Sequence, residues 1–231
     1  MPVALAAFGR LPPLLRSIIR GDVRTAGRLI RADPSSVLLR SPGWAWLPRF
    51  RMACIEGDTT LHLAARRTLP GIVRLLLRRG ADPNAANRHG HRPLHAAASC
   101  SPAEPARRHR DQATVIRLLV RAGADPNARD RRDVAPLHTA VRGRCLEAVR
   151  TLLRHGAELR GRNGATGATP LHLAVRTTGR GGSGEPAARA AQAGIIRLLL
   201  RRGAKPSDRD GRGRSVAAWA DGQWTRPLLG G

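Results

Sequence analysis

The chain has 231 residues, of which 42% are hydrophobic and 3% aromatic, and 41 basic residues against 16 acidic ones give a net charge of +25. That apolar content is enough for a continuous core, and no stretch approaches the roughly 18 apolar residues of a membrane span. Three cysteines, Cys54, Cys100 and Cys145, form no even disulfide framework and no Cys-x-x-Cys metal spacing, so a reducing cytoplasm is the expected setting.

In chain order, the apolar run Pro2–Phe8 lacks a preceding basic region and is soon broken by Arg10 and two prolines, which argues against a signal peptide. Residues 11–37 then read as a helix–turn–helix half: Ile18-Ile19-Arg20-Gly21-Asp22-Val23, followed by Leu29-Ile30-Arg31-Ala32-Asp33-Pro34. Residues 38–56 are an insertion holding Trp44, Trp46 and Phe50, half of the chain's aromatics. These rings are expected either to cover the open N-terminal end of the fold or to contact a partner. From there a tetrad Leu-His-x-Ala recurs, at Leu61-His62, Leu94-His95, Leu137-His138 and Leu171-His172.

Successive tetrad histidines lie 33, 43 and 34 residues apart, and Ala218, at the next equivalent position, is 46 further on. The distance from Gly80, Gly123, Gly156 and Gly203 to the following tetrad position stays at 15 or 16. The frame is therefore a repeat of 33, with extra residues after the first helix of two repeats, around Ser99–Ala113 and Thr177–Gln192, read as loop extensions. The spacing gives four full repeats, 57–86, 87–129, 130–162 and 163–209, and a degenerate cap at 210–231. In each repeat a helix begins just before the tetrad. A second helix carries an apolar stripe such as Ile72, Val73, Leu75, Leu76 and Leu77, with Arg74, Arg78 and Arg79 left to solvent. A glycine then ends it in a left-handed conformation.

Thr169-Pro170-Leu171-His172-Leu173-Ala174, with Ile195–Leu200 and Gly203-Ala204 behind it, resembles the signature of the ankyrin repeat family. Departures include Thr60 in place of Pro, Arg92 and Ala135 in place of Thr, and Asp133 in place of the turn Gly. The resemblance implies an all-α repeat solenoid whose hairpins are stable only when stacked, forming one domain with four full repeats and two degenerate caps. It also implies that each tetrad histidine hydrogen-bonds across adjacent turns. Partners in such a family lie along a concave face of turn tips and inner helices. Carried over by position, this gives Arg66, His89, His91, Arg131, Arg132, Arg142, Arg176, Arg212 and Arg214, with Glu56, Asp58, Arg88, Ser99, Val134, Thr166 and Ala168 beside them.

The chemistry-bearing residues point away from catalysis. The tetrad histidines are spread one per repeat, whereas a metal needs several ligands around one point, so neither a metal nor a cofactor is expected. Gly179–Gly184 lacks a preceding strand and a following Lys-Ser/Thr, and reads as a flexible linker. Asp82, Asp125, Asp130 and Asp208 fall in turns, where Asp bonds its own backbone, and Cys145 reads as a partly packed thiol. The expected function is a non-enzymatic scaffold, expected as a monomer, that binds a protein partner, with an acidic segment favoured because arginine grips carboxylates. A basic nucleic-acid-associated protein is the alternative. The charge itself has two readings: GC-rich codon usage, since Lys205 is the single lysine, or a functional basic surface. The even scatter of arginine along the chain favours the first.

Overall fold

A computed structural model of the chain describes residues 11–43, 45–47, 52–99, 106–176, 186–220 and 224–230. The chain divides into two compact units, Met1–Ala97 with Thr114–Asp125, and Ala98–Ala113 with Pro126–Gly231.

The first unit opens with α1 (Pro13–Arg20) and α2 (Val23–Ala32), the expected helix–turn–helix half. Gly21 ends α1 at φ 77°, and Asp22 starts α2 by accepting from the Thr25 N–H at 3.0 Å. A 3-10 turn (Pro34–Leu38) leads into the 38–56 insertion. This segment, read from sequence as a loop, contains a short antiparallel hairpin: β1 (Ala45–Leu47) pairs with β2 (Met52–Cys54) in the register Ala45↔Cys54, Trp46↔Ala53, Leu47↔Met52. Trp46 thus sits on a strand, while Trp44 and Phe50 lie outside the described residues. The first full repeat supplies α3 (Thr60–Arg66) and α4 (Pro70–Arg78), and the second supplies α5 (Pro93–Ala98) and α6 (Ala106–Arg121), of which Ala98 and Ala106–Ala113 count with the second unit. Inner helix α1 packs on α3 and outer helix α2 on α4, burying Leu15, Ile18, Ile30, Leu61, Ile72 and Leu76 completely or almost so. Each such side chain contributes roughly 1.5–3 kcal/mol.

The second unit continues the scheme with α7 (Pro136–Arg142) and α8 (Leu146–Arg154), α9 (Pro170–Val175) and α10 (Pro186–Arg201), and the short α11 (Val216–Trp219). Here α7 packs on α9, α8 on α10 and α9 on α11, and the last 3-10 turn (Arg226–Leu229) closes against α10.

The loop extensions expected after the inner helices are partly helical instead. Helices α6 and α10 run for 16 residues, against 9 for α4 and α8, and absorb 106–113 and 186–192. For α10 the cause is local: Pro186 presets the first turn, and alanines at 187, 188, 190, 191 and 193 are the strongest helix formers. The added turns also tie down α9. Gln192 donates through its Nε2 to the carbonyls of Ala174 at 2.7 Å and Arg176 at 2.9 Å, serving acceptors left open at that helix end. The glycine-rich stretch 179–184 lies outside the described residues.

Two turn positions depend on backbone conformation. Gly167 adopts φ 65°, and a Cβ there would stand 2.5 Å from the Gly211 nitrogen, where the Gly211 N–H bonds the Thr166 carbonyl. Asp133, in place of the repeat's usual glycine, is held at φ 57°. Opposite results follow from exchanging glycine at these sites. Gly167→Ala should lower the melting temperature through a backbone clash, whereas Asp133→Gly should raise it, by up to about 1 kcal/mol of relieved strain. Thermal denaturation of the two variants checks both signs.

Candidate binding groove

The first, third and fourth repeats begin with the same small circuit, and the second shares its Nδ1 half through the Arg92 N–H to His95 at 3.1 Å. The N–H of Thr59 donates to His62 Nδ1 at 3.2 Å, the Thr59 hydroxyl lies 2.9 Å from that nitrogen, and His62 Nε2 reaches the His91 carbonyl at 2.9 Å. A carbonyl only accepts, so Nε2 carries the proton and the ring is neutral. His138 repeats the pattern with the Ala135 N–H at 3.2 Å and the Gly161 carbonyl at 3.0 Å, as does His172 with Thr169 and the Arg214 carbonyl. The expected cross-turn bonding of the tetrad histidines is therefore present in both units. Burial pushes the pKa of His62 and His138 down to about 4, and that of His172 downward. Where Thr60 replaces proline, its hydroxyl donates to the Val37 carbonyl at 3.2 Å, joining the first repeat to the N-terminal cap.

An Asn or Asp eight or nine residues before the tetrad position shapes each later turn. Asn87 Oδ1 accepts from the N–H groups of His89 and His91; Asp130 Oδ1 accepts from Arg132 and Val134; Asn163 Oδ1 accepts from Thr166; Asp210 Oδ1 accepts from Arg212 and Arg214. Of these four, sequence patterns single out only Asp130. Asn84 and Asn127, after the Asp-Pro pairs, bond the next repeat's Gly123 and Gly156 carbonyls at 2.7 and 3.0 Å.

These turns fix what the arginines do. Arg66, Arg142 and Arg176 occupy one register, four residues after the tetrad histidine. In the first repeat, four residues before that histidine, stands Asp58, whose buried carboxylate takes Arg66 at 2.7 Å along with the Asn87 amide and the Ile55 N–H. Burial alone would raise the Asp58 pKa, but the charge of Arg66 and the bonds from Arg66 and Asn87 hold it below the usual carboxylate value. Arg66 is therefore occupied. The matching positions in the third and fourth repeats are Val134 and Ala168, which offer no carboxylate, so Arg142 and Arg176 project into solvent.

In the second unit the two meet Arg132 from the preceding turn around a cavity of about 470 Å³. Its lining includes the expected Arg132, Arg142, Thr166 and Arg176, together with Arg144, Asn163, Gln192 and Trp219, which sequence patterns do not indicate. Among the described residues, four arginines and no carboxylate line this groove. Arg144 is buried at φ 57°, and burial lowers its pKa. Trp219 closes one end: its indole N–H donates to Asp210 at 2.8 Å, its ring meets His172 edge-on, and the Arg176 and Arg214 guanidiniums lie 5.3 and 5.0 Å from its centre. Arg214 is also paired with buried Asp210 at 2.8 Å, whose pKa burial would raise but the Arg214, Arg212 and Trp219 donors bring down. Arg131 and Arg212 are exposed and outside the lining. In the first unit, His91 stacks on His95 at 5.6 Å with His89 6.1 Å away, and the exposed Arg88 pairs with Glu56.

Among the described residues no cluster of three His, Cys, Asp or Glu side chains is placed to hold a metal ion, and no helix is long and apolar enough to cross a membrane. Cys54 is a free, buried thiol whose pKa burial pushes up to about 11. Cys145, expected as a partly packed thiol, is fully buried and disulfide-bonded.

The repeat frame, paired helices and Thr/His start circuits define an ankyrin repeat protein, and a family model described as ankyrin repeats (3 copies) matches residues 16–130 and 106–210. The chain belongs to the ankyrin repeat family. It is similar to the B-cell lymphoma 3 protein homolog of Mus musculus, 32% identical over 172 residues, covering 74% of this chain and 34% of that protein. A shorter stretch of 48 residues, 21% of this chain, is 50% identical to the neurogenic locus notch homolog protein 4 of Homo sapiens, covering 2% of it. The chain thus spans about a third or less of the length of these curated relatives.

Proposed function

We propose that the chain is a non-enzymatic protein-binding scaffold that holds an acidic protein segment in the groove of its second unit. The observation that carries this is that, among the described residues, no carboxylate joins the exposed Arg132, Arg142 and Arg176 in the lining. Among the described residues the acids cap helices, shape turns or pair with arginines outside the groove, so an arriving carboxylate gives these guanidiniums the pairing that Asp58 and Asp210 supply to Arg66 and Arg214. Leu173, Ile195 and Trp219 add apolar contact along the same wall. Arginine with an aromatic neighbour is the usual composition of an interface anchor. Family membership supports a protein partner.

The test replaces Arg132, Arg142 and Arg176 with Gln, which keeps side-chain length and removes charge. Quantitative mass spectrometry should find that proteins captured by the wild-type chain are depleted on the triple variant, with the melting temperature little changed because these groups are exposed. Undiminished capture of the same proteins would refute the groove assignment.

A further inference from the structure

Compared repeat by repeat, the arginines that look scattered along the chain fall into two rows. Counting back from the glycine that ends each outer helix, an arginine stands six and two residues before it in all four full repeats. These are Arg74 and Arg78 before Gly80, Arg117 and Arg121 before Gly123, Arg150 and Arg154 before Gly156, and Arg197 and Arg201 before Gly203. Members of a pair are four apart on a helix and so share one face, roughly 6 Å from each other. In the second unit the two helices concerned, α8 and α10, pack directly on one another.

All but Arg150 are exposed, and among the described residues Arg150 alone of the eight meets a carboxylate, Glu147 at 2.7 Å. The acids on these four outer helices are Asp111 and Glu147, each engaged by an arginine of its own helix. Codon usage enriches arginine everywhere; it does not set arginine at the same two positions of four outer helices and, among the described residues, leave seven of the eight without a carboxylate. The helix dipole accounts for an arginine in the last turn, worth about 0.3–1 kcal/mol, and so for the second of each pair. It gives no reason for the first.

We propose that the outer-helix arginines of the second unit, Arg154, Arg197 and Arg201, bind the phosphate backbone of double-stranded nucleic acid without reading its sequence, a role separate from the groove. Duplex binding needs only cations that displace condensed counterions. Single-strand binding needs aromatic platforms, and α4, α6, α8 and α10 carry no Phe, Trp or Tyr. Stable membrane attachment needs an apolar insertion besides charge, and the large exposed hydrophobics among the described residues, Val23 and Leu38, lie on neither row.

The experiment measures fluorescence anisotropy of a labelled mixed-sequence duplex with the full chain, across a salt series from about 50 to about 200 mM. Two triple variants are compared: Arg154→Gln, Arg197→Gln and Arg201→Gln on the outer helices, and Arg132→Gln, Arg142→Gln and Arg176→Gln in the groove. Both remove the same charge, and glutamine matches arginine in helix propensity. The outer-helix triple should weaken duplex binding at least about tenfold and flatten the log–log salt dependence by about 0.9 per lost contact, while the groove triple stays within about twofold of wild type. No duplex binding by the wild type, equal weakening in both triples, or tighter binding to phosphatidylserine vesicles than to the duplex would each overturn the proposal. None of these outcomes bears on capture of a protein by the groove.

Discussion

Lowering the pH from above 6.5 towards 4 should remove a large part of the fold's stability, about 3 kcal/mol for each of His62 and His138, with a further loss from His172. Their usual pKa is 6.5, and burial brings it to about 4 for the first two. Between those values the unfolded chain binds a proton on each ring and the folded chain does not. The unfolded state therefore takes up more protons, and stability rises with pH across the window. It is fully present above 6.5 and lost as the pH falls to the folded value. The geometry gives the same sign, since a second proton would sit on Nδ1, which already accepts the Thr59 or Ala135 N–H. Two such groups approach the whole stability of an ordinary domain. Urea unfolding at constant ionic strength, at pH 7.5 and 4.5, should show the midpoint drop sharply. An unchanged midpoint would mean that these rings titrate normally.

The repeat frame and the paired helices are legible in the sequence because they rest on local rules repeated four times, and the bridging role of the histidines follows from the family resemblance. Thr or Pro at a helix start, glycine at its end and a 3.6-residue apolar stripe signal without knowledge of neighbours. The hairpin at 45–54 is not legible: its strands are three residues long, too short for alternation to stand out. The extra helical turns of α6 and α10 escape a reading that equates insertion relative to a repeat with loop, although the alanines of α10 argue otherwise. In the groove, Arg132, Arg142 and Arg176 emerge from carrying a family position along the sequence. Arg144, Gln192 and Trp219 reach it from a helix–helix turn, an outer helix and the cap, which no repeat position indicates. Arg66 shares the register of Arg142, and its different fate depends on one residue, Asp58 in place of Val134. Alignment of the repeats contains that signal.

The same comparison makes Asp58→Ala a severely damaging point substitution. It would leave the Arg66 guanidinium 14% exposed without its carboxylate, and deprive the Asn87 amide and the Ile55 N–H of their acceptor. Breaking one side of a buried pair costs about 3–5 kcal/mol. Adding Arg66→Ala should recover part of that loss, because the stranded charge disappears with its partner. Equilibrium unfolding of the two single variants and the double would measure the coupling, and strictly additive losses would show that the pair is not a unit. The reciprocal substitution carries the argument to the groove. Val134→Asp places a carboxylate where the third repeat lacks one, with Arg142 in the register of Arg66 and Asn163 in that of Asn87. The new group should draw Arg142 out of the groove and into an internal pair, so protein capture should fall while the melting temperature holds or rises. Capture that survives a pinned Arg142, shown by a crystal structure of the variant, would mean that this arginine does not touch the partner.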